Sequence, residues 1–259
     1  MASALVMIPV ALAAVWYGTP WSSGLAALAA ALMAWEWGRM VGRSPQLMDG
    51  LMLAAIAAAS VLAGAYVAIW LGLLVGALGI LLQHRLAGDR NGAPIWTAVG
   101  LAWIIAPCIG FVWLRDDPAH GAATVFWLLA VVWAIDTAAY VAGKTIGGPK
   151  LAPRISPKKT WAGLIGGVVA AIVVGVVAGL IVGSDRVWSI GLLSGALAIV
   201  EQIGDMAESY AKRRFGKKDS GNLIPGHGGL LDRLDGMLAV VLAVVILSLV
   251  TGGSVLTWR

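Results

Sequence analysis

From Trp161 to Gly183 the chain carries no charged side chain, and this run is one of a series. Apolar segments lie at about 3–18, 24–41, 50–64, 66–84, 94–114, 122–143, 161–183, 187–211 and 231–251. In lipid, each such segment must be a helix, because a helix satisfies its own backbone hydrogen bonds. With 60% hydrophobic residues, 12% charged residues and a mean hydropathy of +0.89, the chain reads as an integral membrane protein and not as a soluble domain.

The stretch 50–84 has only Gly64 as a break. One helix there would be about 50 Å long against a hydrocarbon core of about 30 Å. Splitting it gives nine spans and an all-α, polytopic helical bundle. Charge agrees with the split. One side then collects Arg39, Arg43, Arg85, Arg90, Lys144, Lys150, Arg154, Lys158, Lys159, Lys212, Arg213, Arg214, Lys217, Lys218 and Arg233, which is 15 of the 18 cations. The other side has Arg115, Arg186 and Arg259. The positive-inside rule puts the rich side, and the N-terminus, in the cytoplasm. An eight-span chain would scatter Arg39 and Arg43 to the opposite face.

Met1-Ala2-Ser3 brings no positive charge ahead of the first apolar run, so that run is not read as a cleaved leader. The single cysteine, Cys108, lies in an apolar run and has no intrachain partner. The formal charge of +5 suits anionic lipids and nucleotides. No loop is long enough for a soluble domain, and no repeat is visible. Two loops stand out, 144–160 and 212–230, both mixing Gly or Pro with Lys or Arg.

Between the last two apolar helices lies a polar island running from Glu201 to Asp235. A charged side chain at mid-membrane costs about 2.5–3.5 kcal/mol on insertion scales, so a cluster needs a reason. Glu201, Asp205 and Glu208, then Lys212, share one helical face. An interfacial polar stripe explains Glu208 and Lys212. It explains Glu201 and Asp205 poorly, because the apolar run 196–200 precedes them. Hard divalent cations seek several oxygen ligands, which such a face can supply in part. Asp232 and Asp235 share a face near the start of the ninth helix, where acidic residues also complement the helix dipole. The glycines of His227-Gly228-Gly229 let backbone N–H groups approach phosphate oxygens.

Asp136 is an intramembrane carboxylate two turns before Lys144, and either an ion pair or a ligand role suits it. Ser156-Pro157-Lys158-Lys159-Thr160 sets two cations beside two hydroxyls, with Pro157 blocking helix continuation. Such a loop also tethers anionic headgroups, at about 1 kcal/mol per charge. Glu36, in Trp35-Glu36-Trp37 near Arg39, reads as an interfacial ion pair in an aromatic belt with no assigned function.

Together these residues resemble a family. The stretch Ser209 to Asp235, with Lys212-Arg213, Lys218-Asp219, Pro225-Gly226-His227-Gly228-Gly229 and Asp232-Arg233-Leu234-Asp235, closely resembles the signature of phosphatidate cytidylyltransferases, or CDP-diacylglycerol synthases. Asp136 to Lys144 and Leu151 to Gly167 resemble the family as well. Many relatives carry Glu or Gln where this chain has Ala162, which argues against an essential ligand there.

The resemblance implies a multi-pass enzyme of the cell inner (plasma) membrane, its active site facing the cytoplasm, that joins CTP to phosphatidic acid. It also implies need for magnesium (Mg2+), as one or two ions, and assembly as a homodimer among membrane lipids, with no nucleic acid partner. Residues 1–120 would be a scaffold on the lipid side, and 121–259 the catalytic region. Asp205, Asp232 and Asp235 are then the main metal-binding group, with Asp136, Glu208 and Asp219 as further ligands. Lys144, Ser156, Lys159, Thr160, Ser209, Lys212, Arg213, Gly228 and Gly229 would hold phosphates. Arg233 would do so or orient the aspartates, and His227 would protonate the leaving pyrophosphate or bind a phosphate. Two other readings stay open at this level. One is a CTP-dependent isoprenoid-lipid nucleotidyltransferase or kinase. The other is an ion-coupled transporter, although no inverted repeat supports it.

Overall fold

The computed structural model describes residues 2–42, 47–87, 93–223 and 228–257. His227 lies outside the described residues, as do Pro225, Gly226 and the cations Arg43, Arg90 and Arg259. Among the described residues there are nine α-helices: α1 (Ala2–Tyr17), α2 (Trp21–Val41), α3 (Leu47–Tyr66), α4 (Ile69–Ala87), α5 (Ala93–Arg115), α6 (Gly121–Thr145), α7 (Trp161–Ile181), α8 (Val187–Arg214) and α9 (Leu231–Thr251). Six of them, α3 and α5 to α9, contain stretches long and apolar enough to cross a membrane.

The all-α reading needs one addition, a two-stranded hairpin in the loop after α6. Its strands are β1 (Lys150–Ala152) and β2 (Ser156–Thr160), antiparallel, with Lys150 opposite Thr160 and Ala152 opposite Ser156. Helix α8 also continues through Lys212 to Arg214, where the sequence reading began a loop. The chain divides into two compact units, residues 1–116 with 214–234 and residues 117–213 with 235–259.

In the first unit, α2, α3 and α5 bury Met33, Trp37, Val61, Leu101 and Ile104. The Trp37 indole donates to the Trp96 carbonyl at 2.9 Å, and its ring lies so close to Gly100 that no Cβ fits there. The split of 50–84 is present, but Gly64 is not the break. The chain turns at Val67-Ala68, whose N–H groups both return to the Ala63 carbonyl. Gly64 stays helical because α4 presses on it: a Cβ on Gly72 would lie 2.7 Å from the Gly64 Cα. Small residues let helix backbones approach this way in membranes.

In the second unit, α7 buries Gly163, Gly167, Ala171, Gly175 and Gly179, one small residue per turn. A Cβ on Gly163 would lie 2.9 Å from the Ala139 carbonyl of α6. One on Gly175 would lie 2.2 Å from Ser194 Oγ and 2.7 Å from the Ile190 carbonyl of α8. Ser194 Oγ accepts from the Trp127 indole at 3.0 Å and donates to the Ile190 carbonyl at 2.8 Å, so this buried hydroxyl is satisfied.

Candidate active site

Two glycines in the second unit let α8 and α9 cross closely. A Cβ on Gly204 would lie 2.5 Å from the Ala239 Cβ, and one on Gly236 would lie 2.6 Å from Glu201 Oε1. The crossing sets Glu201, only 4% exposed, against the α9 residues around Asp235. The Glu201 carboxylate lies in the field of Asp136 from α6, Asp205 one turn along α8, Asp235 from α9, and the Lys159 ammonium. Asp235 of α9 lies in the field of Asp205 and beside Glu208 of α8. The Gly236 N–H donates to Asp235 Oδ1 at 2.8 Å.

Cations enter this cluster from two directions. Lys159 of β2 pairs with Asp205 of α8, Nζ to Oδ2, at 2.5 Å. The other Asp205 oxygen accepts from Ser209 Oγ at 3.3 Å. Lys212 pairs with Glu208 at 3.2 Å, with side chains 10% and 0% exposed. A charge pair this buried is costly to break, about 3–5 kcal/mol when one partner is removed.

The hairpin explains why Lys159 reaches α8 while Lys158 stays exposed: successive strand side chains point to opposite faces. Thr160 ends β2 and caps α7, its Oγ1 accepting from the Gly163 N–H at 3.1 Å. That hydroxyl, assigned from sequence to substrate, therefore also fixes the strand-to-helix turn. Arg213 leans back on the hairpin, Nε to the Ile155 carbonyl at 3.4 Å, and Ser156 opens β2 half-buried. Lys144, at the end of α6, is exposed, with Nζ 3.4 Å from the Tyr140 hydroxyl and 5.6 Å from the ring centroid.

The first unit holds the remaining signature residues. The Asp232 carboxylate accepts from the Ser220 N–H at 2.9 Å, from Ser220 Oγ at 3.0 Å and from the Gly229 N–H at 2.8 Å. Gly228 has φ +84°, and a Cβ there would lie 2.9 Å from Asp232 Oδ2, so glycine is required for both reasons. Arg233 lies exposed in the first turn of α9. Asp219 lines a cavity of about 550 Å³ together with Trp35, Arg39, Lys217 and Asn222.

Glu36 corrects the sequence reading. It is 2% exposed, and its carboxylate meets backbone N–H groups rather than Arg39. It accepts from the Leu230 N–H at 3.0 Å and the Leu231 N–H at 2.9 Å, with Ser220 Oγ at 3.4 Å. The start of α9 leaves N–H groups without helical partners, and the buried carboxylate of α2 meets two of them. Glu36 and Ser220 are polar residues that the sequence reading gave no role, and Glu201 was read only as part of the acidic face of α8. The signal for Glu36 was available: it is a carboxylate deep in an apolar segment, the criterion that selected Asp136.

Carboxylates gathered near one another, two of them paired with lysines, have the chemistry that suits a hard divalent cation. As placed among the described residues, no three His, Cys, Asp or Glu side chains converge tightly enough to hold one.

The cytidylyltransferase family model matches residues 1–251. This chain belongs to the cytidylyltransferase family. A phosphatidate cytidylyltransferase of Brucella suis is 44% identical over 169 residues, covering 65% of this chain and 61% of that protein. The chain thus matches under two thirds of the length of its Brucella relatives. The enzyme of that name from Rickettsia bellii is 35% identical over 200 residues, covering 71% of this chain and 83% of that protein. The one from Haemophilus influenzae is 30% identical over 277 aligned positions, covering 92% of this chain and 94% of that protein. The match runs across both units, so the family resemblance seen in the signature extends to the N-terminal helices.

Proposed function

We propose that this cytidylyltransferase-family protein transfers CMP from CTP to phosphatidic acid, giving CDP-diacylglycerol and pyrophosphate for phospholipid biosynthesis. The observation that carries the proposal is the Lys159–Asp205 pair, which joins the basic hairpin to the acidic face of α8. The lipid phosphate is already anionic near neutral pH and needs little help from a base. Its oxygen forms a bond to the α-phosphorus of CTP as the bond to the β-phosphate oxygen breaks. The barrier lies in bringing two anions together, so neutralisation and in-line alignment are the main tasks.

Lys159 and Lys212 suit that work: both are held by carboxylates on one face of α8, and their ammonium groups would donate to phosphate oxygens. Magnesium, bound by Asp205 and Asp235 with Asp136, Glu201 or Glu208, would neutralise charge on the triphosphate. Within the first unit, Asp219 and Asp232 are the carboxylates proposed to bind a cation. The 117–213 and 235–259 unit is the catalytic part in this reading, and the N-terminal helices are scaffold on the lipid side. Nine spans with the hairpin facing the cytoplasm of a bacterial inner membrane would let CTP arrive from water while the acyl chains stay in the leaflet. A homodimer is the proposed assembly.

The test is pyrophosphate release by purified protein in mixed micelles containing phosphatidic acid and CTP. The proposal requires release that depends on both substrates and on magnesium. Release of CDP would make the protein a kinase of the same nucleotide class. Absence of CTP turnover with lipid present would remove the enzyme reading.

A further inference from the structure

We infer that Glu36 of α2 is a positioning residue that holds the signature loop and the start of α9, and with them Asp219 and Asp232, in working geometry. The inference rests on the cytidylyl-transfer reading for its kinetic part and on geometry alone for its structural part. Glu36 lies outside the signature, yet its carboxylate ties down two backbone N–H groups of the signature region and lies beside a third polar group. Oε1 accepts from the Leu230 N–H, Oε2 accepts from the Leu231 N–H, and Ser220 Oγ lies 3.4 Å from Oε2. Ser220 in turn bonds Asp232 through its N–H and its hydroxyl. The hydroxyl has one hydrogen, so it serves the nearer acceptor, Asp232 at 3.0 Å, and leaves Glu36 its two backbone donors.

The signature glycines pack closely on this carboxylate. A Cβ on Gly221 would lie 2.6 Å from Glu36 Oε1, and one on Gly229 would lie 2.7 Å from both Glu36 oxygens. The glycines of the signature are therefore needed partly to admit this carboxylate, in addition to any phosphate. Two parallel N–H donors demand two acceptor oxygens. A glutamine offers one, and its NH₂ would face an N–H. A carboxylate facing helix N–H groups is also favoured by the helix dipole. Asp219 sits on the loop so held and Asp232 in the first turn of α9, and Glu36 touches no reacting atom in this account.

The experiment compares Glu36→Gln and Glu36→Asp with the full-length chain in two arms. The first arm is backbone hydrogen exchange of peptides covering 219–234 and, as reference, 238–246. In Glu36→Gln, exchange at Leu230 and Leu231 should quicken at least about tenfold while the reference stays protected, with Glu36→Asp between. The second arm is turnover: kcat should fall about 10- to 100-fold in Glu36→Gln while KM for CTP changes less than about threefold, with partial rescue in Glu36→Asp. Unchanged exchange at 230–231 overturns the clasp. Quickened exchange with normal kcat makes Glu36 a structural strut and overturns positioning. Quickened exchange throughout α2 to α5, with activity lost in proportion to folded protein, does the same. If the wild type turns over no CTP, the activity reading fails, and the exchange arm still decides the clasp.

Discussion

Lys159 at the end of a short strand meets Asp205 in the middle of α8 at 2.5 Å, joining two segments that sequence spacing alone leaves unconnected. The adjacent Lys158 points away and is exposed. A generic headgroup tether would use both lysines alike. Lys159→Ala should therefore lower kcat/KM about ten- to over a hundred-fold, the value of a lost charge-assisted hydrogen bond of roughly 1.5–3 kcal/mol. Lys158→Ala should stay within about threefold. Kinetics in micelles of fixed lipid charge check this, and equal small losses would reduce the hairpin to an anchor.

Asp235 and Asp232 should part company on stability. Asp235→Asn should abolish turnover with little change in the melting temperature. Asp232→Asn should abolish turnover and also destabilise the protein by about 2 kcal/mol, because its carboxylate holds the Ser220 and Gly229 donors. Paired thermal melts and rate measurements separate the two. Near-normal kcat in either variant would remove that aspartate from the site.

Glycine substitutions report on packing independently of chemistry. Gly175→Ala forces a methyl against Ser194 Oγ and the Ile190 carbonyl, and should destabilise by about 1–3 kcal/mol. Gly24 in α2 has open space around its Cβ position, so Gly24→Ala should be neutral or stabilise by up to about 1 kcal/mol. Thermal unfolding in detergent distinguishes them, and equal melting points would contradict the close α7–α8 contact.

Much of this architecture was legible because helix length in lipid is set by bilayer thickness. The ends of α9 match the apolar run, and the split within 50–84 follows from length alone. Its location did not follow, since Gly64 carries two meanings, turn or close contact, and only the opposing Gly72 decides between them. The hairpin at 150–160 was hidden by Pro153, Pro157 and a run of cations, which suit a loop as well as a short exposed strand. The acidic face of α8 was visible from spacing. Its meeting with Asp136, Asp235 and Lys159 was not, because helix crossings depend on small residues such as Gly204 and Gly236 whose partners lie far along the chain. Glu36 was misread because two flanking tryptophans suggested a membrane interface, whereas its acceptors serve the buried start of α9.

Topology can be probed through single cysteines, since the native Cys108 is buried. With Cys108 replaced by alanine, Lys158→Cys should react with an impermeant reagent only from the cytoplasmic side, and Asp185→Cys only from the other. Both positions are exposed. Labelling of the two from one side would overturn the nine-span arrangement.

The most direct measurement of the central claim follows the fate of label in CTP. Purified protein is given phosphatidic acid and CTP labelled at either the α- or the γ-phosphate, and the lipid fraction is counted. Transfer of CMP predicts α-label in a lipid that co-migrates with CDP-diacylglycerol, and γ-label only in soluble pyrophosphate. Appearance of γ-label in the lipid, or of no label from either position, would contradict it.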